Sequence, residues 1–189
     1  MTKQQLRNIY KEKRASLSSK EKLQLDDLML IQFQRLTFSE VDTLLTYWPM
    51  ANKNEPNTHL FSGYLRHGIP NLNIAYPVSN FESNDMKVAL IDEDTVYATN
   101  TFGVTEPTSD NFISPEDIDL VFVPLLICDT QGYRVGYGKG FYDKFLSECR
   151  ENVLKIGLNY YEPVNKIDDI QPYDVSLNYC ITPYNIYEF

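Results

Sequence analysis

The chain has 189 residues, 43% hydrophobic, 13% aromatic and 23% charged, which predicts one ordinary domain with a packed core and excludes a disordered or fibrous chain. Its 26 acidic against 17 basic side chains leave a formal charge of −9, so non-specific affinity for nucleic acid or an anionic membrane is not expected. No apolar run approaches the roughly 18 residues of a membrane span, and the opening MTKQQLRNIYKEKR lacks the apolar core of a signal peptide, so a cytoplasmic, monomeric protein is expected.

Charge is placed unevenly. Residues 1–22 carry seven basic side chains against two acidic ones, Glu12 and Glu21. Lys3, Arg7, Lys11 and Arg14 fall on one face of the first predicted helix, as either a solvated stripe or a site for a small polyanion. Ser18-Ser19-Lys20-Glu21 has the form of a capping box. It opens a second helix, whose Leu25, Leu28, Met29, Phe33 and Leu36 make a core-facing stripe.

Val41–Trp48 reads as a strand stopped by Pro49, and Met50–Pro56 as a polar loop. Asn57 or Thr58 is the predicted cap of a third helix that ends near Gly68 and Pro70. His59 and His67 read as surface residues of that helix, since neither has a third ligand at metal spacing. Asn73–Val78 and Met86–Ile91 read as strands, and Thr101–Pro107 as a loop. The apolar run Asp119–Leu126 has the pattern of a central strand buried on both faces.

Further strands are expected at Val153–Leu158 and Asn178–Thr182. Cys128, Cys149 and Cys180 are widely spaced and odd in number, as befits reduced thiols. Strands alternating with helices predict an α/β fold, a three-layer α/β/α sandwich with a largely parallel sheet, in a single domain over 1–189.

The segment Gly132-Tyr133-Arg134-Val135-Gly136-Tyr137-Gly138-Lys139-Gly140-Phe141-Tyr142-Asp143 joins the buried strand to a predicted helix. Alternate glycines allow close backbone approach to a ligand, and a helix N-terminus just beyond them suits phosphate. A tight strand-to-helix turn is the plainer explanation of the glycines. Arg134 and Lys139 add two cations. The pattern is neither a Walker loop nor a dinucleotide fingerprint. Asp143 either complements the helix dipole or ligates Mg²⁺, and Asp174 is a candidate second ligand.

This segment resembles the signature of the 5-formyltetrahydrofolate cyclo-ligase family. Lys3-Gln4-Gln5-Leu6-Arg7, Glu55-Pro56-Asn57-Thr58 and Gly103-Val104-Thr105-Glu106-Pro107 agree in order and spacing. The resemblance implies a fold like that of sugar-phosphate isomerases and CoA transferases. It also implies a ligase that couples ATP to cyclisation of 5-formyltetrahydrofolate into 5,10-methenyltetrahydrofolate.

Carried over by position, Lys3 and Arg7 hold ATP phosphates, and Arg134, Gly136, Tyr137, Gly138, Lys139, Gly140, Phe141 and Tyr142 wrap the nucleotide. Met50 and Glu55, with Tyr137 to Phe141, face the folate. Asp143 and Asp174 hold Mg²⁺, and Arg134 and Lys139 are the catalytic cations. Arg134→Ala is accordingly expected to lower turnover and leave the fold intact. The chain departs from the family pattern at Cys128, which replaces an aromatic, at Phe141, which replaces Tyr, and at Asn57, where a carboxylate is frequent. A nucleotide- or folate-binding relative without activity, or an enzyme acting on another pterin-like substrate, are the alternative readings.

Overall fold

The computed structural model describes all of residues 1–189. The first helix, α1 (Lys3–Ala15), starts at Thr2, and the second, α2 (Ser19–Phe33), at Ser18. Both starts are closed by reciprocal capping boxes that satisfy N–H groups a helix end otherwise leaves orphaned. Strand β1 (Thr43–Leu45) leads through a short 3₁₀ turn (Ala51–Lys53) to α3 (Thr58–Gly68).

Strands β2 (Asn73–Asn80), β3 (Asp85–Leu90), β4 (Tyr97–Thr99), β5 (Thr105–Pro107) and β6 (Phe112–Ile113) follow. A second 3₁₀ turn (Pro115–Asp117) precedes β7 (Leu120–Phe122), β8 (Ile127–Cys128) and β9 (Arg134–Val135). The chain closes with α4 (Phe141–Glu148), β10 (Leu154–Leu158), β11 (Tyr179–Ile181) and β12 (Ile186–Glu188).

Eight strands form the main sheet in the order β12-β11-β10-β7-β1-β2-β3-β6. The five from β11 to β2 run parallel; β12 pairs antiparallel with β11 at one edge, and at the other β3 pairs antiparallel with β2 and β6 antiparallel with β3. In register, Leu44 lies between Leu120 and Ile74, and Leu45 between Val121 and Ala75.

Period-two alternation sends Leu44, Ile74, Leu120 and Phe122 to one face, against Met29 and Phe33 of α2 and Phe61 and Leu65 of α3. It sends Leu45, Ala75, Val121 and Val123 to the other, against Phe145 and Leu146 of α4. Both faces are therefore covered, which is why β7 reads as an unbroken apolar run. A third, smaller cluster holds Leu6 and Tyr10 of α1 against Leu126, Ile127, Val135 and Ile167. It docks the N-terminal helix beside the glycine-rich segment.

Several local expectations change. The predicted strand 41–48 pairs only over Thr43–Leu45. Part of the predicted loop 101–107 is β5, paired antiparallel with β4. Asn57 occupies the cap position of α3 but makes no side-chain cap bond. Instead its backbone N–H donates to the buried carboxylate of Asp26 (3.2 Å), and the Thr58 hydroxyl donates to Tyr47 O (2.6 Å). These tertiary bonds anchor the start of α3 without a side-chain cap. No helix is long and apolar enough to cross a membrane.

Candidate active site

A cavity of about 660 Å³ opens where α1, the turn after β1, the β2–β3 and β4–β5 hairpins and the glycine-rich segment meet. That size suits a small-molecule ligand. Every predicted site residue lines it: Lys3, Arg7, Met50, Glu55, Arg134, Gly136–Phe141, Tyr142, Asp143 and Asp174.

The basic stripe of α1 divides. Lys3, Arg7 and Lys11 face the cavity, whereas Arg14 is buried beneath it, 1% exposed. Arg14 donates to Leu125 O (2.7 Å) and to the Tyr137 hydroxyl (3.3 Å). Tyr137 donates in turn to Glu55 (2.7 Å), whose second oxygen accepts from Met50 N–H (2.7 Å). One buried chain thus links α1, the glycine-rich segment and the turn after β1. Burial, and then the Glu55 carboxylate, raise the Tyr137 phenol far above its ordinary value against the opposing Arg14 charge, and so hold it neutral.

Arg7 donates through Nε to Gly136 O (3.0 Å) and lies flat against Gly138. Gly138 has φ +98°, and a Cβ there would stand 3.3 Å from Arg7 Cζ. The glycine is therefore needed twice, for its dihedral and for the guanidinium beside it. Gly140, at φ +75°, caps α4. The N–H groups of Phe141, Tyr142 and Asp143 that follow belong to the first turn, which has no acceptors within the helix.

At the same end, Lys3 Nζ pairs with Asp174, and Arg134 pairs with Asp143 (3.0 Å). Asp143 Oδ1 also accepts from Val175 N–H (3.0 Å), and Asp174 Oδ2 from Gln171 N–H (2.6 Å). In each carboxylate these bonds occupy one oxygen and leave the other without a protein donor. No cluster of three or more His, Cys, Asp or Glu is arranged around a metal position. Two hard carboxylates beside the glycine-rich segment nevertheless suit Mg²⁺, which takes few protein ligands and keeps several waters.

Arg134 is more structural than its sequence position suggests. Its side chain is 5% exposed, and it donates to Val175 O as well as to Asp143. Burial lowers its pKa, and the Asp143 carboxylate opposes that shift. Removing it would leave Val175 O without that donor and Asp143 with Val175 N–H alone and no balancing cation, so Arg134→Ala is expected to disturb the fold as well as the site.

Sequence reasoning missed an aromatic wall. Phe81 and Phe102 stack with centroids 4.0 Å apart, and Phe141 meets Phe81 edge-on at 5.2 Å. All three line the cavity. Phe81 and Phe102 sit in hairpin turns, where isolated aromatics carry no periodic signal. The Phe102 turn is held by Asn100, whose Oδ1 accepts from Phe102 and Val104 N–H groups (3.0 and 3.1 Å).

An α/β sheet carrying a cation-lined cavity between a glycine-rich segment and a separate basic helix defines an α/β protein whose site is suited to an anionic ligand. The model of the 5-formyltetrahydrofolate cyclo-ligase family matches residues 1–183. The chain belongs to that family.

A 5-formyltetrahydrofolate cyclo-ligase of Mycoplasma pneumoniae is 31% identical over 187 residues, covering 96% of this chain and 98% of that protein. That of Mycoplasma genitalium is 38% identical over 73 residues, only 38% of this chain and 44% of that protein. The solution structure of a 5,10-methenyltetrahydrofolate synthetase from Aquifex aeolicus superposes with TM-score 0.79 at 27% identity, covering 100% of this chain and 93% of that one. The M. pneumoniae synthetase structure does so with TM-score 0.74 at 28% identity, covering 97% and 99%.

Proposed function

We propose that this chain is an ATP-dependent ligase that closes 5-formyltetrahydrofolate to 5,10-methenyltetrahydrofolate, releasing ADP and phosphate. One observation carries the reading. Lys3 and Arg7, more than 120 residues away in sequence from Gly136–Gly140, line the same cavity as that segment and as Met50 and Glu55. A phosphate pole and a substrate pole thereby share one space.

The chemistry needs such an arrangement. A formamide oxygen is a poor leaving group, so it must be activated first. It attacks the γ-phosphorus of ATP, the bond to the bridging oxygen breaks, and ADP leaves. The neighbouring folate nitrogen then adds to the formyl carbon and loses its proton, and the activated oxygen departs as phosphate. No covalent enzyme intermediate is required.

Lys3, Arg7 and Lys139, with the first-turn N–H groups of α4, hold the phosphates in line and stabilise the charge that develops on them. Arg134 keeps Asp143 in place. Glu55, fixed by Tyr137 and Met50, holds the folate by hydrogen bonding, and the Phe81–Phe102–Phe141 wall gives an apolar face for a planar ring. Asp143 and Asp174 are the residues to hold Mg²⁺, which would neutralise phosphate charge there.

The test is near-ultraviolet absorbance of the protein mixed with 5-formyltetrahydrofolate and MgATP at neutral pH. Growth of the methenyl band that requires both ATP and Mg²⁺ supports the reading. A flat trace from folded protein rejects it.

A further inference from the structure

Two lysines from different elements converge on the cavity with no acid in ion-pair contact with either. Lys11 belongs to α1 and Lys53 to the 3₁₀ turn after β1, and both line the cavity. Their Nζ atoms stand 5.9 and 4.4 Å from the centre of the Tyr137 ring. Neither takes part in any of the ion pairs of the protein. The aromatic face attracts each ammonium only weakly.

The neighbouring acid is Glu55, which is 2% exposed and already accepts from Tyr137 and Met50. Arg14 adds a third cation beneath Tyr137. Three cations therefore lie about Tyr137, whose hydroxyl is bonded to one committed carboxylate. Lys11 is exposed and Lys53 half-buried. Burial, and then the charge of Lys11, lower the pKa of Lys53 against the opposing pull of Glu55, so a ligand of opposite sign is favoured beside the pair.

The position of the pair narrows the choice of anion. Lys3, Arg7 and Lys11 follow at four-residue intervals, so Lys11 lies about 12 Å along the helix axis from Lys3. Lys3 sits at the Asp174 end, while Lys53 lies within the segment between Met50 and Glu55. The lysine pair is thus at the folate pole of the cavity, displaced from the phosphate pole.

We propose that Lys11 and Lys53 form a second anion subsite that takes the carboxylates of the glutamate tail of the folate. This rests on the ligase reading above. A folate reacts at its pterin end and carries its two carboxylates at the opposite end. A molecule with its formyl group beside the phosphates therefore needs cations at a distance from them. Two lysines from two elements match two carboxylates through charge-assisted hydrogen bonds.

The test compares wild type with Lys11→Gln, Lys53→Gln and the double variant. Each is assayed with 5-formyltetrahydrofolate and with the amide of 5-formyltetrahydropteroate, which lacks the glutamate and ends in an uncharged carboxamide. Each single change is expected to raise KM for the glutamate-bearing substrate about tenfold, with no equal rise in KM for ATP. The truncated substrate should give wild type and variants the same KM. Unchanged KM values overturn the proposal. So does a rise that falls on ATP, which would assign the pair to phosphate, or one that persists with the truncated substrate.

Calorimetric titration of both folates without ATP reads the subsite independently of turnover. The preference of wild type for the glutamate-bearing folate should vanish in the double variant. An absent preference in wild type, or one retained by the variant, refutes the subsite. Absence of ring closure with that preference intact refutes the ligase reading alone.

Discussion

Tyr137 donates to Glu55 from within the glycine-rich segment, so one hydroxyl sets the orientation of a carboxylate that water scarcely reaches. Tyr137→Phe leaves Glu55 with Met50 N–H as its remaining hydrogen-bond donor. It is expected to lower kcat/KM for the folate about tenfold and stability by about 1–2 kcal/mol, measured by steady-state kinetics and urea unfolding. Arg134 was legible as a functional cation from its place in the motif. Its burial and its bond to Val175 O were not, because Val175 is 41 residues away and no local pattern pairs them. Arg134→Ala should therefore lose turnover by orders of magnitude and about 2–3 kcal/mol of stability, since it strands a partly buried carboxylate. An unchanged urea midpoint would return Arg134 to a purely functional role.

At the level of elements, the site depends on how α1 meets the glycine-rich segment. Gly138→Ala places a methyl group against Arg7 at a dihedral that side chains avoid. KM for ATP is expected to rise about tenfold, with about 1–2 kcal/mol lost from backbone strain; kinetics at varied ATP and a denaturation curve check both. Glu106 of β5 plays a comparable part for the aromatic wall. It accepts from Ser79 N–H at the end of β2 (2.9 Å) and from Asn100 (3.4 Å), the residue that holds the Phe102 turn.

Burial pushes the Glu106 carboxyl up, and the bonds from Ser79 and Asn100 oppose that shift. The folded state therefore retains this proton to higher pH than the unfolded chain does. Its contribution to stability falls as pH rises from the ordinary carboxyl range through the raised value. Glu106→Gln keeps an acceptor for Ser79 and removes the titration. Urea midpoints across about pH 4–8 should show a decline in wild type that is flattened in the variant. Parallel profiles would remove Glu106 as its source.

For the whole molecule, the cavity is assembled from segments that span residues 3 to 174, so its ligands should stabilise the fold globally. Binding to the folded state alone adds about 2.7 kcal/mol at a ligand concentration 100 times Kd. MgATP is expected to raise Tm of wild type and to do so far less in Arg7→Ala, as read by calorimetry. Equal shifts in the two proteins would separate Arg7 from the nucleotide. Much of this architecture was legible in the chain: the start of α2 from Ser18, the buried strand from the run around Leu120–Phe122, and the glycine-rich segment with its cations.

Those features are local, because capping, side-chain alternation and positive φ are fixed by neighbours within a few residues. The motif also carried the family. Only the tertiary structure decided that Arg14 turns into the core while Lys11 stays at the cavity, and that Phe81 and Phe102 stack from separate hairpins. It likewise placed Lys53 beside Lys11. Each of these depends on which long-range partners supply burial, acceptors or opposing charge, and a one-dimensional pattern does not contain those distances.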